Sequence, residues 1–278
     1  ELSSKLGNSD AICMIGNCYK NGDGVEQNDK KALEYYNNAI EHNNALALNN
    51  VGKMYLEGNG VSKDTTEAIR YFKKSAKLDC TLAMYNLGIV YRNGQGVEQN
   101  YQKAVEYFKM AIDKGFEEAI LFLSDMLFEK QIEEESQEEI VVYIYQLAKS
   151  GNDSAMLKYG QLFLDDEIVP KDEDKAFYYI QKSAEKGNVI ALFFYGTLLL
   201  EGRGTEVDYQ EAFLNFKKAA DKGNIDALNS IGFMYQYGKG IDINYKKAIQ
   251  YYESAADKGN IDAMNNIGFM YQNGKGTD

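Results

Sequence analysis

Residues 45–80 read ALALNNVGKMYLEGNGVSKDTTEAIRYFKKSAKLDC, and their spacing decides the fold. Ala47, Val51, Gly52 and Tyr55 recur at helical intervals, so the stretch opens with an amphipathic helix. Gly58-Asn59-Gly60 ends it, because glycine reaches the left-handed backbone that closes a helix. Val61 is expected as a buried loop anchor. Asp64 is an N-cap, its carboxylate placed to accept free backbone N–H groups, and a second helix follows with Ala68, Tyr71, Phe72, Ser75 and Ala76 inward. The unit is helix A, a Gly-x-Gly loop, helix B and a short turn.

The same unit recurs with a step of 36 residues. Gly16, Gly52, Gly88, Gly160, Gly196, Gly232 and Gly268 hold one register, with Ser124 at the missing place. Ala11, Ala47, Ala83, Ala119, Ala155, Ala191, Ala227 and Ala263 run five residues earlier without a gap. N-cap residues mark each helix B at Asn28, Asp64, Asn100, Ser136, Asp172, Asp208 and Asn244, with capping boxes expected for Asp64–Glu67, Ser136–Glu139 and Asp208–Glu211. Helix A is expected to start at Asn44, Asn152, Asn188, Asn224 and Asn260. Small residues should let the helices approach, the Gly16 series facing the Ala32 series. Tyr35, Tyr71, Tyr107, Tyr143, Tyr179 and Tyr251 should fill the next layer. A period of this length means stacked supersecondary units, each burying its apolar face on its neighbours.

Composition agrees. The 278 residues are 45% hydrophobic, with one proline over the whole length, which suits a helical array. The formal net charge of −12 argues against nucleic acid and anionic membrane surfaces as partners and favours basic or neutral ones. Residues 117–152 carry nine acids and two lysines, and residues 153–188 eight acids and five lysines, so the middle of the chain holds most of that charge. No run approaches the ~18 apolar residues of a membrane span. Cys13, Cys18 and Cys80 are an odd, sparse set read as small buried or half-buried thiols rather than a disulfide framework.

Residues 83–115 carry Ala83, Leu87, Gly88, Tyr91, Gly94, Gly96, Val97, Asn100, Lys103, Ala104, Tyr107, Phe108, Ala111 and Gly115. This pattern resembles the Sel1-like repeat, a relative of the tetratricopeptide repeat, and the resemblance runs along the whole chain. It implies an all-α, right-handed α-solenoid of about seven helix pairs plus a partial one. The repeats fall near 9–44, 45–80, 81–116, 117–152 (degenerate), 153–188, 189–224, 225–260 and 261–278, in a single array. It also implies scaffold or adaptor work in assembling protein complexes. Unpaired cysteines point to the cytoplasm, while the family also includes periplasmic, secreted and ER-lumenal proteins.

Two repeats depart from the pattern. Lys130 and Ile132 stand for the loop glycines of repeat four, and Asp166 and Ile168 for those of repeat five, beside the chain's one proline, Pro170. Both keep the alanine, the cap and helix B, so both are expected to remain helical pairs with altered loops. They are read equally as a functional or bending site and as drift. Gly7-Asn8-Ser9-Asp10 matches the tail of a preceding repeat, and the sequence stops at Gly276-Thr277-Asp278 after a helix A. The chain therefore reads as a fragment of a longer protein, or as an end that needs another surface.

By analogy with tetratricopeptide arrays, helix A lines a concave face. Its outward positions carry Asn17, Asn49, Asn50, Asn86, Asn229, Asn265 and Asn266 in the end repeats. They carry Tyr85, Ile89, Leu121, Phe128, Leu157, Leu164, Phe193 and Leu200 in the middle ones. An asparagine both donates and accepts, so a ladder of them can hold an extended peptide backbone; equally, they can be solvated helix surface. The candidate partner-binding residues are Asn49, Asn50, Tyr85, Asn86, Ile89, Phe193, Asn229, Phe233, Asn265 and Phe269. Helix A of repeat six, residues 189–200, is apolar nearly all round, which calls for burial inside the superhelix or under a partner helix or peptide.

No catalytic constellation is present in the sequence. Ser183-x-x-Lys186 falls on a core position of helix B without the Lys-Thr-Gly that would accompany it in penicillin-recognising enzymes. His42 is the sole histidine. Asp165, Asp166, Glu167, Asp172 and Asp174 lack EF-hand spacing, so no metal or cofactor is expected. Asn152-Asp153-Ser154 is a glycosylation sequon, informative only for a secreted chain. The favoured reading is a non-enzymatic scaffold that binds a protein segment, basic or apolar, on the helix A face. The alternative is a regulatory or targeting arm of a larger enzyme or membrane-associated complex.

Overall fold

The computed structural model describes residues 9–276. Gly7, Asn8, Thr277 and Asp278, on which the reading of the two ends partly rests, lie outside the described residues. Within them the chain forms fifteen α-helices and no strand. The A helices are α1 (Ser9–Asn21), α3 (Ala45–Glu57), α5 (Thr81–Asn93), α7 (Ala119–Phe128), α9 (Asp153–Gln161), α11 (Val189–Glu201), α13 (Ile225–Tyr237) and α15 (Ile261–Gln272). The B helices are α2 (Asp29–Glu41), α4 (Thr65–Ala76), α6 (Tyr101–Asp113), α8 (Glu134–Ser150), α10 (Glu173–Glu185), α12 (Tyr209–Asp221) and α14 (Tyr245–Ala256). Contacts gather into two compact units, residues 1–133 and 134–278. The division falls inside repeat four, between its two helices.

The repeated glycine has a steric cause. A Cβ on Gly16, Gly52, Gly88, Gly160, Gly196 or Gly232 would lie 2.5 to 2.8 Å from a side chain of its own helix B. The ring that fills the notch is Tyr36, Phe72, Phe108, Phe216 or Tyr252, with Ile180 in repeat five. This corrects the sequence reading by one residue. The Ala32 series contributes a backbone carbonyl beside the glycine, and the large side chain comes from the position after the Tyr35 series. Tyr36, Phe72, Phe108, Phe216 and Tyr252 are fully buried. At about 25 cal/mol per Å², each contributes roughly 2–3 kcal/mol of burial.

The Tyr35 series does something different: it stacks on helix A. Tyr19–Tyr35, Tyr55–Tyr71, Tyr91–Tyr107 and Tyr235–Tyr251 have ring centroids 5.5 to 5.7 Å apart and planes within 17° of parallel. Lysines at the third position of helix B lie over a ring of helix A, or in repeat five of the turn just past it, in alternate repeats: Lys31 on Tyr19, Lys103 on Tyr91, Lys175 on Phe163 and Lys247 on Tyr235. The intervening repeats carry Glu67, Glu139 and Glu211 at that position.

Caps follow the sequence with two corrections. Asn28, Asp64, Asn100, Asp172, Asp208 and Asn244 all accept backbone N–H groups at helix B. Ser136 does not, because α8 starts earlier, at Glu134, and encloses it. The capping boxes at Asp64 and Asp208 are half formed, since Glu67 turns to Arg70 at 2.6 Å and Glu211 to Asn215 at 2.9 Å. Helix A starts explain their own residue type. The carboxamides of Asn44, Asn188 and Asn260 cap their helices and also donate to Asp10, Asp153 and Asp226 of the preceding helix A, at 2.7, 2.9 and 2.8 Å. An aspartate or serine cap could not fill both roles so well.

The second loop glycine also joins repeats. Gly60 (φ +71°) lies with its Cα hydrogen against Asp29 at the start of the previous helix B, where a Cβ would meet Asp29 Cβ at 2.8 Å. Where repeats four and five lose their glycines, other groups hold the loop. Lys130 keeps the left-handed turn at φ +55°, and Ile132 is buried. Asp166 accepts from the Lys171 backbone at 2.7 Å. Ser124, the substitute for glycine, is buried and donates its hydroxyl to the Ile120 carbonyl at 2.7 Å.

Candidate functional site: the helix A faces

In the first unit the outward asparagines of α1, α3 and α5 are tied into one chain of hydrogen bonds. Asn86 Nδ2 donates to Asn49 Oδ1 at 2.8 Å, and Asn49 Nδ2 donates to Asn50 Oδ1 at 3.4 Å. Asn50 Nδ2 donates to Asn17 Oδ1 at 2.9 Å and touches Cys13 Sγ at 3.9 Å. Asn17 Oδ1 also receives the Tyr36 hydroxyl at 2.7 Å. In the second unit Asn266 Nδ2 donates to Asn229 Oδ1 at 2.9 Å. This bond joins the same register positions, 37 residues apart, as Asn86 and Asn49.

The individual candidates differ in what they can reach. Asn49 is buried, 2% exposed, so it acts only through its neighbours. Asn50, Asn86 and Asn229 are half-buried and Asn265 is exposed. Tyr85 is half-buried in an aromatic cluster with Phe116 at 4.9 Å, Phe122 at 5.2 Å and Phe108 at 6.1 Å. Burial, and secondarily Glu118, pushes its phenol above the ordinary tyrosine value. Ile89 is half-buried. Phe193 leans on Phe194 and the buried Phe216, both at 5.8 Å. Phe233 and Phe269 stand 36% and 46% exposed, Phe233 with Tyr237 at 4.6 Å and Phe269 near the Lys275 ammonium.

The apolar middle of the sequence is largely core. Leu157 is buried, and Ile89, Leu121, Phe128, Leu164 and Leu200 are half-buried. In α11, Ala191, Leu192, Leu198 and Leu199 are buried while Phe193, Phe194, Tyr195 and Leu200 lie partly buried against the same cluster. Ile190 is the large exposed side chain of that helix, at 49%.

Charge on these faces is locally paired. Lys20 reaches Glu57 at 3.6 Å and Arg92 reaches Glu129 at 2.7 Å, linking the ends of A helices in neighbouring repeats. Among the described residues no group of three or more His, Cys, Asp or Glu side chains is placed to hold a metal. Asp165 accepts from the Glu167 backbone at 3.0 Å and Asp172 caps α10, so these loop acids serve the turn. Ser183 is buried and donates to the Asp153 carbonyl at 2.7 Å, a structural bond between helices. His42 is exposed at the end of α2. The sequon's Asn152 caps α9 through the Ala155 N–H at 2.7 Å. Sequence reading missed the bonds among the asparagines, whose signal was the 37-residue offset between Asn49 and Asn86 and between Asn229 and Asn266.

The Sel1 repeat family model matches residues 9–44, 45–80, 81–116, 153–188, 189–224, 225–260 and 261–278. Among solved structures, the chain is similar to a Sel1 repeat protein from Oxalobacter formigenes, at 25% identity and a TM-score of 0.78, over 96% of this chain and 78% of that one. It is also similar to c5321 of Escherichia coli, described as a protective antigen present in uropathogenic strains and displaying an SLR fold. There the identity is 28% and the TM-score 0.70, over 97% of this chain but 58% of the other. The chain therefore spans a little over half the length of that relative. A search of proteins with curated functions gave no match. No helix among the described residues is long and apolar enough to cross a membrane. Proteins of this repeat are generally non-catalytic scaffolds for protein–protein interaction. With matches over more than half of its length, the chain belongs to the Sel1 repeat family.

Proposed function

We propose that the chain is a non-enzymatic scaffold that holds an extended peptide segment along its helix A faces. The observation that carries this reading is the bond repeated in both units, Asn86 to Asn49 and Asn266 to Asn229. Each carboxamide has two N–H groups and an oxygen with two lone pairs. Asn86 and Asn266 spend one N–H on the neighbour and keep a second N–H and the oxygen on a half-exposed surface. That pair matches the donor and acceptor of a peptide unit. Because the neighbour already fixes the side chain, little rotamer freedom remains to be lost on binding.

Asn50, Asn86 and Ile89 form the reachable part of the site in the first unit, with Asn49 behind them and Tyr85 shaping the edge. In the second unit Asn229, Asn265, Phe233 and Phe269 supply amides beside exposed rings, and Phe193 lies further along. Exposed phenyl rings next to amides suit a peptide whose apolar side chains alternate with its backbone groups. Panning a random peptide library against the full chain tests this. Enrichment of a peptide family that is lost on panning against Asn86→Ala or Phe233→Ser supports the reading. An enriched family retained by both variants overturns it.

A further inference from the structure

A second surface, on the helix B side, has the opposite character. Lys73, Ala76 and Lys77 from the end of α4 face Glu106, Tyr107 and Met110 of α6 across a groove of about 490 Å³. Its floor is Ala76 and the ring of Tyr107, which stacks on Tyr91 at 5.6 Å. Met110 stands 44% exposed at its edge. A small residue, Ala76, lines the groove, and the same register holds Ala148, Ala184, Ala220 and Ala256. The register position of Ala76 carries Ile40 and Ile112 in the adjoining repeats, and Ile112 is buried at 5% exposure.

The rim is basic on a protein whose net charge is −12. Lys73, Lys74 and Lys77 are exposed, and among the described residues none of them is ion-paired. By contrast Arg70 on the same helix is held by Glu67 at 2.6 Å, and Lys114 by Asp79 at 2.9 Å. Lysines in a last turn complement the helix dipole, which accounts for their charge but not for the apolar hole between them. Glu106 is the one acid on the lining.

We infer that this groove docks an acidic protein segment that inserts one apolar side chain between Tyr107 and Met110 while its carboxylates pair with Lys73 and Lys77. A nucleic acid or another phosphate polymer would meet the same lysines, and the same repulsion from the acidic chain as an acidic peptide, but it has no side chain for the hole. The surface lies apart from the helix A faces and takes the charge opposite to that expected there.

The test uses the full chain and a fluorescein-labelled peptide with one leucine between runs of glutamate, read by anisotropy at low and physiological salt. Binding should weaken with salt, because the paired charges are exposed. Ala76→Ile fills the groove with the residue that neighbouring repeats carry there, and should weaken binding at least tenfold. Ala184→Ile, the same substitution in the same register of the second unit, should leave it unchanged. Lys73→Glu with Lys77→Glu should abolish it without altering the helical circular dichroism. Binding that survives both the Ala76→Ile and the double-lysine variants overturns the inference. So does equal binding of the peptide whose leucine is replaced by serine, or tighter binding of single-stranded RNA.

Discussion

Gly88 and Phe108 meet so closely that a Cβ on the glycine would lie 2.5 Å from the ring. Helix propensity alone favours Gly88→Ala by about 1 kcal/mol, whereas forcing a methyl into a packed interface costs about 1–3 kcal/mol. The second effect is larger here, because Phe108 is fully buried and the clash involves the near side of its ring. Gly88→Ala should lower the urea midpoint of the chain. Gly268→Ala is the control, since nothing lies within 4 Å of its added methyl. It should raise helix stability by about 0.5–1 kcal/mol. The same substitution in the same register should thus have opposite signs.

The choice between tyrosine and phenylalanine at the notch follows from an amide on helix A. The Tyr252 hydroxyl donates to Gln236 Oε1 at 2.6 Å, and Gln236 is buried at 3% exposure. In repeats two and six the same two positions are Leu56 with Phe72 and Leu200 with Phe216. Tyr252→Phe strands the buried amide and should cost about 1–2 kcal/mol. Adding Gln236→Leu should recover most of that loss in a double-mutant cycle read by denaturant unfolding.

Lys130 holds a left-handed turn at φ +55° that glycine holds in the regular repeats. For a residue with a Cβ this costs roughly 1 kcal/mol. Lys130→Gly should therefore raise the melting temperature. A fall would show that the lysine side chain contributes more than its backbone costs.

How much of this was legible in the sequence depends on which atoms decide each feature. The period, the paired helices and the asparagine caps follow from spacing and side-chain type. The notch did not, because the 35 and 36 positions are both large in every repeat but the sixth, where Asn215 precedes Phe216, and only the angle between helices says which enters. Ser136 reads as a cap from its register, but α8 begins two residues earlier, at Glu134, and takes it into the helix. At the candidate site, outward asparagines were legible as a row. That they bond to one another, and that Asn49 is buried behind Asn86, depends on how closely successive A helices stack.

The three thiols should separate by reactivity. Burial first, then Asp10 and Cys80, pushes the Cys13 thiol up to about 11, and its side chain is 1% exposed. Cys18 and Cys80 are half-buried and free. With Ellman's reagent at pH 8, two thiols should react fast and the third slowly, because the thiolate is the nucleophile. Since the fold holds the Cys13 proton, its contribution to stability is complete below pH 9 and is lost as the pH climbs towards 11. Peptide mapping that finds Cys13 labelled first would contradict this packing.

The affinity of a panned peptide for the chain before and after Asn86→Ala with Asn266→Ala tests the central claim most directly. The two amides that are fixed by a neighbouring asparagine and keep a free N–H and oxygen are then gone, while Asn49, Asn50, Asn229 and Asn265 remain. Binding should weaken at least tenfold, about 1.4 kcal/mol, measured well below a melting temperature that falls modestly because the buried Asn49 Oδ1 loses its donor, with Asn38→Ala, on the exposed side of α2, as the silent control. An unchanged affinity in the double variant would contradict the account.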